Sequence, residues 1–125
     1  MAKILLVDDD FEIVGVVKDI LTKDGHEVET ASDAAQGMQK AREMLPELII
    51  LDFHMPGTSG AHLFENLRRN PSSSKTPVIF MSGEASQEDI FSETCESGDC
   101  CFLPKPVDIK ELRRVINKML REKSV

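Results

Sequence analysis

The sequence lacks the features that would direct a chain to a membrane or a secretory route. No apolar run is long enough to cross a bilayer. The start, Met1-Ala2-Lys3, leads directly into a short apolar run and three acids rather than into a cleavage site. Internal repeats and low-complexity tracts are absent as well. We therefore expect a globular cytoplasmic protein with no membrane segment.

Cysteine is scarce, and basic charge is in deficit. The three cysteines, Cys95, Cys100 and Cys101, form no C-x-x-C pair and are odd in number, so we interpret them as reduced packing residues, with metal or redox use as the alternative. The net charge is -7 and no basic patch stands out, which argues against direct nucleic-acid binding. An acidic balance suits the binding of a cation.

Strand and helix patterns alternate along a chain of 125 residues, a length that fits one domain with one core. Short apolar runs predict five strands, and stretches with helical spacing predict five helices between and after them. The alternation predicts an α/β fold, in which a parallel sheet carries helices on both faces. The predicted strands are 3–7, 28–30, 48–51, 77–81 and 100–103. The predicted helices are 11–23, 32–45, 59–69, 86–98 and one that begins at Ile109. We expect Leu45 to face inward and Asp108 with Glu111 to cap the last helix.

One carboxylate, Asp52, follows the most apolar strand. The stretch from Glu47 to Gly60 reads ELIILDFHMPGTSG, and its run from Leu48 to Leu51 suits a strand buried on both faces. Turn-forming residues come after it. Ligands of open α/β sheets bind at the carboxyl ends of the strands, which is where Asp52 lies. Taken alone, Asp52 could equally be the first residue of a turn.

Polar residues follow other predicted strands too. Asp8, Asp9 and Asp10 come after the first strand, Ser82 after the fourth and Lys105 after the fifth. Each has a simple explanation alone, such as helix capping by Asp10. Because the carboxyl ends of parallel strands lie on one edge, we expect these side chains to converge with Asp52. Crowded carboxylates repel one another unless protons or a cation neutralise them.

A hard divalent cation meets that requirement. Mg²⁺ prefers oxygen ligands and is usually held by one or two carboxylates and several waters, which fits Asp9 and Asp52 with Asp8 acting through water. Mn²⁺ is the alternative ion. The Asp52 carboxylate could then attack a phosphoryl group whose oxygens contact Lys105 and Ser82. The product would be an aspartyl phosphate.

These motifs resemble the receiver domain of two-component response regulators over essentially the whole chain. The matching stretches, in order, are VDDD at Val7 to Asp10, LDFHMPGTSG at Leu51 to Gly60, MSG at Met81 to Gly83, and FLPKP at Phe102 to Pro106. The resemblance implies a flavodoxin-like (βα)5 fold, with a doubly wound parallel sheet of strand order 2-1-3-4-5.

The resemblance also implies a role for each matching residue. Asp52 would be the phosphoacceptor, Asp8 and Asp9 the acidic pair, and Ser82 and Lys105 the hydroxyl and the lysine at the phosphoryl group. The phosphoryl donor would be a sensor histidine kinase or a histidine phosphotransfer protein. The domain would then act as a phosphorylation-dependent switch and not as an enzyme in its own right.

Four further positions refine this resemblance. The backbone carbonyl of His54 would be another metal ligand, and we hypothesise that the side chains of His54 and Glu84 set the phosphoryl lifetime by steering water. Phe102 would follow Ser82 in the switch by ring packing, because it lacks a phenol hydroxyl. Gly83 would loosen the loop. The fourth helix, fifth strand and fifth helix would form the surface that controls a downstream protein.

Two other functions stay open. A phosphatase of the haloacid-dehalogenase type also uses Mg²⁺ and an aspartyl nucleophile, in a D-x-D arrangement that Asp8 and Asp10 supply, but it usually needs a cap and a longer chain. A non-phosphorylated interaction module usually lacks the acceptor, an acid or the lysine, and all are present here. We expect one receiver domain over residues 1–125 with no output domain, either stand-alone or excised.

Overall fold

Strands and helices alternate through the part of the chain that the computed structural model describes, which is residues 2–52, 60–82, 100–105 and 107–123. The helix predicted over 86–98 lies outside these ranges. No described helix has both the length and the apolar character needed to cross a bilayer. The strands are β1 (Lys3–Val7), β2 (Glu27–Ala31), β3 (Leu48–Asp52), β4 (Val78–Ser82) and β5 (Cys100–Pro104), and the helices are α1 (Phe11–Lys23), α2 (Ala34–Met44), α3 (Gly60–Arg69) and α4 (Ile109–Lys123).

The five strands form one parallel sheet in the order β2-β1-β3-β4-β5, which confirms the flavodoxin-like α/β fold. Strand β3 lies at the centre, where β1 and β4 pair with it on either side. All five of its residues are buried. A parallel strand covered by helices on both faces has no polar side, and this explains the unbroken apolar run from Leu48 to Leu51.

Each face of the sheet has its own apolar core. Successive side chains of a strand point to opposite faces, so neighbours in sequence belong to different cores. On one face Leu6 and Ile50 pack with Leu21 of α1 and Ile116 of α4. The other face packs against α2 and α3 through residues that include Val7, Leu51, Phe80, Ala41 and Leu63.

Short polar side chains fix where the helices begin. The Asp10 carboxylate accepts hydrogen bonds from the backbone N–H groups of Glu12 and Ile13 at 3.0 and 3.4 Å, and Asp33 accepts one from Gln36 at 2.8 Å. These bonds satisfy donors that the first turn of a helix leaves unpaired. After α1, Gly25 adopts a φ of 97°, a conformation that favours glycine.

Three sequence expectations need correction. Leu45 does not face inward: it ends α2 in the left-handed region, with φ 48°, and its side chain is 56% exposed. Asp108 does cap α4, since its carboxylate accepts from the N–H groups of Lys110 and Glu111 at 2.9 and 3.4 Å, but Glu111 does not complete a capping box, because its carboxylate pairs with Arg114. Strand β5 extends one residue further than predicted and includes Pro104, which is compatible with its place at the sheet edge.

Helix α2 approaches the sheet closely at Gly37. A Cβ atom at this position would lie 3.1 Å from Leu63 Cδ2 and 3.3 Å from Val7 Cγ2. A Cβ atom at Gly15 of α1 would have no neighbouring atom within 4 Å. The two glycines therefore differ in packing, although both lie inside helices.

We predict that Gly37→Val lowers the free energy of unfolding by about 2 kcal/mol, because the added side chain overpacks the contact with Val7 and Leu63. Gly15→Val is the matched control and should stay within about 0.5 kcal/mol of the parent, since only helix propensity changes there. Urea unfolding measures both. Equal effects of the two substitutions would show that the close approach at Gly37 carries no packing cost.

Candidate functional site

Three carboxylates meet at the carboxyl edge of the sheet. One oxygen from each of Asp8, Asp9 and Asp52 can be chosen so that all three lie within 4.8 Å of one another. Asp8 and Asp52 are buried, at 1% and 3% exposure, whereas Asp9 is exposed. The sequence prediction that acids from two different strand ends converge is thus met by the geometry.

Backbone pairing positions the two buried acids. Asp52 is the last residue of β3 and lies in register with Met81 of β4. Asp8 directly follows β1, and its N–H donates to Ala31 O at 3.0 Å, which continues the pairing of β1 with β2. The Asp8 Oδ1 atom accepts a hydrogen bond from the Asp10 N–H at 2.9 Å. The first bond holds the Asp8 backbone on the sheet, and the second orients its carboxylate.

Lys105 supplies the positive charge at this site. Its Nζ atom lies 3.1 Å from Asp8 Oδ2 and 3.3 Å from Asp52 Oδ1, and its side chain is only 20% exposed. Burial by itself would lower the pKa of Lys105, but the carboxylates of Asp8 and Asp52 outweigh burial and raise the pKa above its usual value. The lysine is therefore charged at neutral pH and bridges the two acids.

One lysine does not fully satisfy two buried carboxylates. Among the described residues, no donor is aligned for a hydrogen bond to the buried Asp8 Oδ2, although the Lys105 ammonium is close enough for an ion pair. A buried charged oxygen without a directed partner is costly unless a further cation approaches it. The oxygen-only donor set fits Mg²⁺, with Mn²⁺ as the alternative.

The remaining predicted site residues have separate outcomes. Asp10 does not join the cluster, because its carboxylate caps α1. Ser82 ends β4 in register with Pro104, which places its backbone at the same edge as Asp52. Phe102 is half-buried on β5 and lies in register with Phe80. His54 and Glu84 lie outside the described residues, as does Gly83.

The sequence analysis missed a recess beside Asp8. Its volume is about 190 Å³, and its lining includes Phe11, Thr30, Ser32 and Gln36. The Phe11 side chain is 81% exposed even though it begins α1.

Comparisons with known proteins assign the chain to a family. A family model described as the response regulator receiver domain matches residues 4–117. The chain belongs to this family. The receiver domain is 33% identical over 122 residues to the transcriptional regulatory protein CpxR homolog of Haemophilus influenzae, and the match covers 97% of this chain and 51% of that protein.

Other relatives consist almost entirely of the matching region. Protein PilH of Pseudomonas aeruginosa is 31% identical over 121 residues, which cover 96% of this chain and 98% of PilH. The solved structure of the chemotaxis response regulator CheY4 of Vibrio cholerae superposes with a TM-score of 0.79 at 30% identity, covering 92% of this chain and 98% of that one. The chain nevertheless spans only about half the length of several of the curated relatives it matches.

We predict that Lys105→Met lowers the free energy of unfolding by about 3 kcal/mol when divalent ions are removed, because it leaves two buried carboxylates without their cation. Added Mg²⁺ should restore part of the loss, because the metal binds the folded state. Urea unfolding in chelator and in Mg²⁺ measures this. Lys18→Met, at an exposed position on α1, is the control. A loss that Mg²⁺ leaves unchanged would contradict the carboxylate site as its origin.

Proposed function

We propose that this receiver domain is a phosphorylation-dependent signalling switch whose phosphoacceptor is Asp52. The observation that carries the proposal is the buried Asp52 carboxylate at the end of β3, which lies 3.3 Å from the Lys105 ammonium and shares a cluster with Asp8 and Asp9. Receiver domains of this family are regulatory phosphoacceptor domains, so the fold and the family support signalling by phosphorylation.

The proposed step is a displacement at phosphorus. An oxygen of Asp52 forms a bond to the phosphorus atom, and the bond from phosphorus to the donor breaks, with its electron pair leaving on the donor. Lys105 lies between Asp8 and Asp52, so its ammonium can contact the transferred oxygens. Asp8, Asp9, Asp52 and the backbone carbonyl of His54 would hold Mg²⁺, which supplies charge neutralisation when bound.

The output would pass through β4 and β5. Ser82 would bond an oxygen of the phosphoryl group, and Phe102 would move with it. The direct pairing of β4 with β5, which places Phe80 beside Phe102 and Ser82 beside Pro104, supports this coupling. Phosphorylation would shift an existing equilibrium between two arrangements, so the surface around β5 and α4 would change its affinity for a downstream protein.

The proposed donor is a sensor histidine kinase or a histidine phosphotransfer protein. Response regulators receive their phosphoryl group from such proteins. We further propose that the domain works in the cytoplasm and folds as a single unit over residues 1–125, as a stand-alone receiver or as the receiver of a longer regulator. Both arrangements occur among its relatives, as PilH and the CpxR homolog illustrate.

The phosphatase alternative is less well supported. A nucleophile at the first strand would use the D-x-D pair of Asp8 and Asp10, but the Asp10 carboxylate is engaged by the N–H groups of Glu12 and Ile13. The alternative also gives no role to Asp52. The paired arrangement of Asp52 with Lys105 therefore favours the receiver function.

The decisive test is phosphorylation by a small phosphodonor. With Mg²⁺, the intact protein should gain the mass of one phosphoryl group, and Asp52→Asn should gain none. Chelating the metal should abolish the increment, because the cluster would lose its neutralising charge. Mass spectrometry of the intact chain measures each case. An increment retained in Asp52→Asn would reassign the acceptor to another acid, and no increment in the parent chain would reject the switch.

A second test concerns the lifetime of the phosphoryl group. We predict that His54→Ala and Glu84→Ala each change the decay rate by a factor on the order of three to ten, corresponding to about 1 kcal/mol in the barrier, because they alter how water reaches the phosphorus. His62→Ala and Glu65→Ala, at exposed positions of α3, are the matched controls. The decay rate is measured from the loss of the mass increment with time. If all four variants decayed at the rate of the parent, the hypothesis would be ruled out.

A further inference from the structure

Helix α4 is strongly basic, although the chain as a whole is acidic. Six lysine and arginine residues stand against two glutamates between Ile109 and Lys123, a net charge of +4. This leaves -11 on the remainder of a chain whose total is -7. The expectation that the chain has no basic patch is therefore wrong for this helix.

Five of the six positive charges of α4 lie on one face. The opposite face is buried in the core through Leu112, Val115, Ile116 and Met119. Positions three or four apart lie on the same side of a helix, and the exposed residues follow that spacing. We call the exposed set the basic stripe; it is about 17 Å long at the rise of an α-helix. Its residues are Lys110, Arg113, Arg114, Asn117, Lys118 and Arg121.

Part of this charge is not compensated. Arg113 pairs with Asp24 through bonds of 2.8 and 3.2 Å, and Arg114 pairs with Glu111. Lys110 and Lys118 form no ion pair with any residue in the described ranges. An exposed helix usually gains support from acids spaced three or four residues from its bases. The helix has two such acids for the five bases of the stripe: Glu111 is three residues before Arg114, and Glu122 is four residues after Lys118. Its charge therefore goes beyond what helix stability requires.

A recess borders the stripe on the side of α1. It has a volume of about 510 Å³ and is lined by Leu21, Asp24, His26, Arg113, Ile116 and Asn117. Leu21 and Ile116 close the base of the recess but are almost fully buried, so its accessible walls are mainly the polar side chains. Burial lowers the pKa of His26, whose Nδ1 accepts a hydrogen bond from the Ala2 N–H at 3.2 Å, so the imidazole is neutral at pH 7. The rim thus adds no charge from His26.

We propose that the basic stripe and the recess form a docking surface for an acidic segment of a partner protein. Carboxylates of the segment would lie along the stripe, and one uncharged side chain would enter the recess. This proposal names the chemistry of the downstream partner, and only its regulation by phosphorylation rests on the proposed function.

The charge distribution favours a short acidic segment over nucleic acid. At physiological salt the field of a surface charge decays over about 8 Å, so a segment that stays on α4 experiences mainly the stripe. A duplex or an anionic membrane would extend beyond the helix and face a body with a net charge of -11.

The proposal can be tested with the unphosphorylated chain. The probe is a short labelled peptide that alternates glutamate and alanine around one leucine, and its binding is followed by fluorescence anisotropy. Lys110→Glu with Lys118→Glu should weaken binding about tenfold, because two attractive charges become repulsive. Lys18→Glu with Lys75→Glu, exposed on α1 and before β4, makes the same change in net charge and should alter binding less than about twofold.

The recess is tested without any change in charge. Replacing the leucine of the peptide by alanine should weaken binding to the parent chain, and Asn117→Phe, which fills the recess from its rim, should remove that difference.

Equal weakening by the two pairs of charge reversals, or no detectable binding of the peptide, would overturn the proposal. A DNA duplex or anionic vesicles could instead bind more tightly than the peptide at the same salt concentration. If Lys110→Glu with Lys118→Glu abolished that binding, the stripe would be reassigned to nucleic acid or membrane. Because no variant touches Asp52, these outcomes are separate from failure of the phosphorylation test.

Discussion

The burial of two like charges at one place is the constraint on which this structure depends. Asp8 and Asp52 are withdrawn from water at the edge of a parallel sheet, where their mutual repulsion opposes folding. Lys105 offsets that repulsion by spanning both carboxylates. The site therefore keeps an unfavourable arrangement of charge in the folded state, which one lysine offsets.

The rest of the fold supplies the rigidity that such a site requires. β3 is buried along its whole length, and β1 and β4 fix its register, so Asp52 has little freedom to withdraw. Asp10 links the site to α1, because its N–H holds Asp8 while its carboxylate caps the helix. Lys105 instead lies between β5 and α4 along the chain. Its two ion pairs thus connect the ends of β1 and β3 to the segment that precedes the helix with the basic stripe.

The sequence predicted those parts of the molecule in which one physical cause dominates. Continuous apolar runs indicated buried parallel strands, and the position of acids after such runs indicated the site. The order of the strands came only from the resemblance, because apolar patterns do not specify which strands are neighbours. Three successive acids after β1 look alike in sequence, and only the direction of the backbone decides that Asp8 turns inward while Asp10 caps α1. The net charge did not reveal the basic stripe, because a sum over the whole chain does not record where the charged residues lie.

The close fit at Gly37 has a mechanical consequence. With no side chain of its own, this residue brings the backbone of α2 against Val7 of β1 and Leu63 of α3, so three elements are interlocked at one point. Sliding α2 along the sheet would drive the helix into both side chains, and close-packed interiors resist such shear. The α2 side of the domain is therefore a rigid frame, and we expect relative movement of the secondary-structure elements to be easier elsewhere in the domain.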